Sequence, residues 1–169
     1  MTHAAITLRP ARTADVALIQ GMRAPLVGTN VLLQHDMVSM YEKIQEFWVA
    51  EDVSGAVVGA GALHVMWQDL AEVRSLVVAE SMRGQGVGYK IVERLLGQAR
   101  ELGIKRVFCL TFEVDFFSRL GFEVISDIPV DEATFNEMAL STDEGVAEFL
   151  DLARVKQNTL GNTRMLRLL

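Results

Sequence analysis

E-V-R-S-L-V-V-A-E-S-M-R-G-Q-G-V-G, residues Glu72–Gly88, is the stretch whose reading decides the fold. Its first part, Glu72–Val78, is a valine-rich apolar run that predicts a buried strand. Arg83 follows a short turn, and Gly84, Gly86 and Gly88 then stand at alternate positions. A loop of this kind, opening a helix, aims backbone N–H groups and a helix N-terminus at one point. Such a point suits a phosphate or pyrophosphate. A glycine turn that only packs a helix on a strand is the plainer alternative. It explains less, because three glycines cost backbone entropy without adding to a core.

Working outward, the helix after the loop carries Ile91, Val92, Leu95, Leu96, Ala99 and Leu102 on one face. Charged residues fill the other face, and Gly103 stops the helix. Arg106–Thr111 reads as the next strand, Asp115–Leu120 as a short helix, and Phe122–Ile125 as a further strand. Upstream, Ile6–Ala11 reads as a first strand, with a helix from Thr13 that Pro25 and Gly28 break. Asp36–Phe47 reads as a second helix, and Phe47–Glu51 with Val57–Trp67 as a hairpin. Downstream, Glu132–Met138 and Glu144–Arg154 read as helical and Thr163–Leu169 as a last strand. The order predicts an α/β (α+β) chain, residues 1–169 as a single domain around one central sheet.

The 169 residues suffice for a sizeable core. Sixteen basic against 22 acidic residues give a net charge of −6, which argues against a general nucleic-acid partner. No apolar run is long enough for a bilayer, and the N-terminus lacks a signal-peptide pattern, so a cytoplasmic protein without a membrane partner is expected. Cys109 is the single cysteine, which excludes an internal disulfide framework.

Three phosphate-loop patterns compete. A Walker loop fails, because Ile91 stands where a hydroxyl residue must follow Lys90. A dinucleotide fingerprint fails, because Tyr89 takes its last glycine position. The pattern [RQ]-x-x-G-x-[GA] is matched in full by Arg83-Gly84-Gln85-Gly86-Val87-Gly88. Downstream stands Phe116-Phe117-Ser118-Arg119-Leu120-Gly121-Phe122. Loop, flanking elements and L-G-F in this order resemble the GNAT acetyltransferase family, over most of the chain. The resemblance implies the GNAT fold, a mixed, mostly antiparallel sheet flanked by helices. It also implies acetyl-CoA as co-substrate, no metal, and direct attack of an amine on the thioester.

On this resemblance the pyrophosphate falls to Arg83, Gly84, Gln85, Gly86, Val87, Gly88 and Tyr89. The thioester carbonyl falls to a backbone N–H within Leu76, Val77 and Val78, with Val77 as the central candidate. Glu72 is the candidate base, working through water; Glu113 and His64 are the alternatives. Phe117 stands where the family places a tyrosine acid, beside the cofactor, and cannot donate a proton. Water, Ser118 or Tyr89 then serve the leaving thiolate, or it leaves unaided. Cys109, mid-strand, reads as inert core.

In a regular strand Glu72, Arg74 and Leu76 share one face. Arg74 there offers a planar fork for a substrate carboxylate, or a salt bridge to an acid such as Glu72. E-V-R-S-L-V-V, the Tyr41–Glu51 segment and the tail Val155–Leu166 resemble the short stand-alone N-acetylglutamate synthase branch of the family. That resemblance implies L-glutamate as acceptor, in the first step of arginine biosynthesis. Lys156 and Arg164 suit a side-chain carboxylate; Asn158 and Asn162 suit an amide, which keeps glutamine open. A plain turn accounts for the same tail. Acetylation of another amine and a non-catalytic acyl-CoA sensor are the rival classes. The apolar end R-M-L-R-L-L suits either a homodimer contact or the chain's own core.

Overall fold

The antiparallel pair Val57–Trp67 and Leu70–Val78 forms the middle of the sheet, and the other elements are laid on either side of it. The computed structural model describes residues 5–29, 36–152 and 161–169. In chain order the strands are β1 (Thr7–Pro10), β2 (Phe47–Glu51), β3 (Val57–Trp67), β4 (Leu70–Val78), β5 (Arg106–Thr111), β6 (Glu123–Val124) and β7 (Thr163–Leu168). They form one seven-stranded sheet in the order β1-β2-β3-β4-β5-β7-β6. Among the described residues only β4 and β5 run parallel. The helices are α1 (Val16–Gly28), α2 (Met37–Glu42), α3 (Val87–Glu101), α4 (Val114–Arg119), α5 (Glu132–Met138) and α6 (Glu144–Phe149). This is the mostly antiparallel, helix-flanked sheet that the family resemblance implies.

Several expectations are corrected, beginning with three helices: the one expected over Glu144–Arg154 ends at Phe149. Pro25 does not break the first helix, which continues to Gly28. Pro25 sits in the last turn, where the missing N–H removes one backbone bond from a helix about to end. The second helix does not reach Phe47. It stops at Glu42, a 3-10 turn covers Ile44–Glu46, and Phe47 pairs with Ala62 in the sheet. Burial of the Phe47 ring in the core outweighs the helical spacing.

α3 packs on one face of the sheet, with Ile91, Leu95 and Leu96 fully buried. A Cβ on Gly59 would stand 2.9 Å from Ile91 and one on Gly61 2.8 Å, so these glycines let α3 lie close to β3. The opposite face carries two separate apolar clusters. α1 and α2 cover one with Val16, Ile19 and Met40. α5 and α6 cover the other with Met138, Val146 and Phe149. The seam between them runs past β4.

Two irregularities of β4 break the regular ladder at the centre of the sheet. Ala62 faces Arg74, but Ala60 faces Val77, so β4 has an extra residue there. The bulge falls at Ser75, a non-glycine residue at φ 55°. It reverses the alternation: Val73, Leu76 and Val78 all pack toward α3, and Val77 toward α1 and α2. The shared face expected for Glu72, Arg74 and Leu76 is therefore overturned at Leu76. The second irregularity is a split. β4 pairs with β5 only over Leu70–Glu72 and Arg106–Phe108, and no pairing of the two strands extends beyond Glu72 among the described residues.

Candidate active site

The glycine loop is built as an anion cradle. Arg83 is extended, Gly84 takes φ +75°, and Gly86 caps α3 at φ +81°, a conformation that favours glycine. No side chain caps the helix at Gly86, so the first-turn N–H groups of Val87, Gly88 and Tyr89 face outward. A Cβ on Gly84 would meet nothing within 4 Å. Gln85 ties the loop down by donating its side-chain amide to the Ser81 carbonyl at 2.9 Å. Gly88 lies against the Phe116 ring and Val78. Tyr89 is half exposed on the outer side of α3.

The open edge of β4 starts beside this cradle. Ala79 donates its N–H to Val58 O at 2.8 Å, and the Val77 carbonyl lies toward β3 beside Gly59. Alternation then turns the Val77 N–H to β3 as well. The N–H groups of Leu76 and Val78 point into the split. Of the three backbone N–H groups considered for the thioester carbonyl, those of Leu76 and Val78 therefore face the split and that of Val77 faces β3.

At the foot of the split, on the α5/α6 side, lies a buried charged cluster. Glu72 is 6% exposed and Arg74 has a side chain 9% exposed. Arg74 Nε stands 3.0 Å from Glu72 Oε2, an ion pair whose angle is off the N–H axis. The Arg74 fork is filled by Asp143, with Nη1 donating to Oδ2 at 2.9 Å and Nη2 to Oδ1 at 3.0 Å. Lys43 Nζ donates to the same Oδ2 at 2.8 Å. His64 Nε2 stands 3.7 Å from that oxygen, and its Nδ1 is 2.7 Å from Glu46 Oε1. The salt bridge weighed for Arg74 is thus present, and a second acid completes it.

Burial raises the Glu72 carboxyl above the usual range, although Arg74 opposes this. For Asp143, burial is outweighed by Arg74 and Lys43, which hold it well below the carboxylate range. Burial, with Glu72 and Glu144 nearby, pushes Glu148 up to about 8. Arg74 is held above its usual value, because its desolvation is outweighed by Glu72 and Asp143. Gly145 is fitted against Glu72: a Cβ there would lie 2.3 Å from Oε2. A high-pKa carboxyl in a dry pocket is what a base near neutral pH requires.

The other expected residues scatter. Phe117 is buried in the main core, edge-on to Phe116 and Phe122. Arg164 does not reach toward Arg74. Its guanidinium donates to the Asp127 carbonyl at 3.0 Å and to the Phe149 carbonyl, beneath the Phe108 and Phe149 rings. Asn162 has a buried side-chain oxygen with no hydrogen bond among the described residues. Lys156 and Asn158 lie outside the described residues. Glu113 is an exposed residue before α4, and Cys109 is buried, its thiol pushed up by burial and by Glu72. Asp143, Lys43, Glu46 and Glu148 escape sequence reasoning. The one signal is Glu148 itself, a lone acid inside the apolar run V-A-E-F-L.

A phosphate cradle at a helix N-terminus, beside two strands that part over a buried carboxyl, defines an acyl-CoA-dependent transferase fold. The chain belongs to the acetyltransferase (GNAT) family, whose profile matches residues 26–122. It is 52% identical to the amino-acid acetyltransferase of Mycobacterium tuberculosis over 96% of this chain and 94% of that one. Rv2747 of the same organism, solved in complex with CoA, superposes with a TM-score of 0.93, 52% identity and coverage of 96% and 99%. The N-acetylglutamate synthase of Neisseria gonorrhoeae, solved with coenzyme A and N-acetyl-glutamate, shares the fold. Its TM-score is 0.79 at 22% identity, over 99% of this chain and 36% of that one. The amino-acid acetyltransferase of Neisseria meningitidis is 27% identical over 74% of this chain, and this chain spans 29% of its length.

Proposed function

We propose that the protein is an amino-acid N-acetyltransferase, moving acetyl from acetyl-CoA to the α-amine of L-glutamate or L-glutamine. The observation that carries the reading is the buried Glu72–Arg74 pair at the foot of the β4/β5 split. A base and a carboxylate-binding fork stand side by side there, as an acceptor with an amine next to a carboxylate requires. The pyrophosphate lies on the α3 N-terminus and the pantetheine arm follows the open edge of β4. Leu76 and Val78 N–H groups hold the thioester oxygen as charge develops on it. Glu72 takes the amine proton through water. The amine attacks the carbonyl, and the thiolate leaves without a proton from Phe117. With L-glutamate as acceptor the reaction would open arginine biosynthesis.

The test is thiol release from acetyl-CoA with a panel of amino acids. Release with L-glutamate or L-glutamine is expected, and no release with any amino acid would sink the proposal. Glu72→Gln is expected to lower kcat on the order of a hundredfold or more. Acetyl-CoA affinity should stay near wild type in the same variant.

A further inference from the structure

The carboxylate already present in the Arg74 fork tells what the site is built to hold. Asp143 is not a neighbour of Arg74 in the chain; the loop before α6 carries it there. Three donors converge on it. The Arg74 fork takes both oxygens at 2.9 and 3.0 Å, Lys43 approaches Oδ2 at 2.8 Å, and His64 Nε2 stands 3.7 Å from it. These donors come from three separate elements: β4, the end of α2, and β3. Two cations and a histidine around one carboxylate are more than a helix cap needs. Asp143 caps α6 with its Oδ1, which accepts the Val146 N–H at 3.1 Å.

We infer that Asp143 stands in for the substrate carboxylate until the amino acid arrives, and that the incoming amino acid displaces it from Arg74 and Lys43. This rests on the amino-acid reading above. Lys43 then becomes a substrate-binding residue, sharing the carboxylate with Arg74. Asp143 sets how strongly an acceptor must bind to enter, because it competes for the same fork. An amine without a carboxylate has nothing to exchange for Asp143 and is excluded. The exchange conserves charge in the pocket: one carboxylate leaves the fork as another arrives. Asp143 holds its place by a side chain at the start of a six-residue helix, so rotation about its own χ angles, or a small shift of α6, frees the fork.

The test compares wild type with Asp143→Asn, which keeps a helix-capping side chain but removes the competing charge. The KM for the amino acid is expected to fall on the order of tenfold, with the KM for acetyl-CoA unchanged. A residue that merely held Arg74 in place would give the opposite, a higher amino-acid KM. An unchanged or raised amino-acid KM in a folded Asp143→Asn protein would overturn the inference. Lys43→Ala guards against a misfolded variant. Added to Asp143→Asn, where no competing charge is left, it should raise the amino-acid KM on the order of tenfold over Asp143→Asn alone and leave acetyl-CoA alone, and no change would equally overturn the inference. A calorimetric titration with acetate separates the inference from the function on which it rests. Tighter acetate binding in Asp143→Asn than in wild type supports the exchange even where no amino acid is acetylated. Equal binding counts against it.

Discussion

Glu148 and Gly145 show how closely single residues are set in this pocket. The Glu148 carboxyl is buried on α6 with an oxygen that takes no hydrogen bond among the described residues, and its pKa rises from 4.5 to about 8. Between those values the folded chain holds a proton that the unfolded chain has released. The contribution of Glu148 to stability is therefore full below 4.5 and lost as pH rises through about 8. Glu148→Gln is expected to gain stability over wild type as pH climbs through that window, by roughly 1 kcal/mol per pH unit, and to level off above it. Denaturant melts at several pH values would show this, and a pH-independent difference would refute it. Gly145→Ala brings a methyl onto Glu72 Oε2, whose movement is restrained by Arg74. A loss of kcat larger than the loss of stability is expected, measured by rate and thermal melt together.

At the scale of elements, the loop and α3 are where sequence and structure agree most fully. The expected glycine cradle, the amphipathic helix and its stop at Gly103 all come from local patterns, and local patterns are what a sequence displays. The bulge at Ser75 does not. Nothing in V-R-S-L-V marks the extra residue, because it is imposed by the register against β3. It leaves the Leu76 and Val78 N–H groups, and not that of Val77, facing the split. Gly86 is held at φ +81°, so Gly86→Val strains the backbone and crowds the pyrophosphate approach. Acetyl-CoA affinity should fall at least tenfold, on the order of the 1–3 kcal/mol that a forced left-handed residue costs. Gly61→Ala, whose Cβ would press on Ile91 at 2.8 Å, should instead cost about 1–3 kcal/mol of stability. Cofactor affinity should be retained there.

Across the whole molecule, the site lies where separate apolar layers fail to meet. One cluster lies under α1 and α2 and another under α5 and α6, and the buried charged residues of β4 occupy the seam between them. Glu72 and Arg74 are legible in the sequence because both lie on one strand of the deciding stretch. Lys43 and Asp143 are not, because they stand 100 positions apart and only the folded sheet brings them together. Among the described residues no helix is long and apolar enough to cross a membrane. The parting of β4 from β5 has a last consequence, in the exchange of amide protons with solvent. Among the described residues no strand lies beside the Leu76 and Val78 amides, whereas the Val77 amide is turned into the ladder with β3. A deuterium-exchange experiment should find two fast amides flanking a slow one, inside a strand at the centre of the sheet. Addition of CoA should slow the fast pair while barely changing the slow one, so that the cofactor acts, for exchange, as the missing strand.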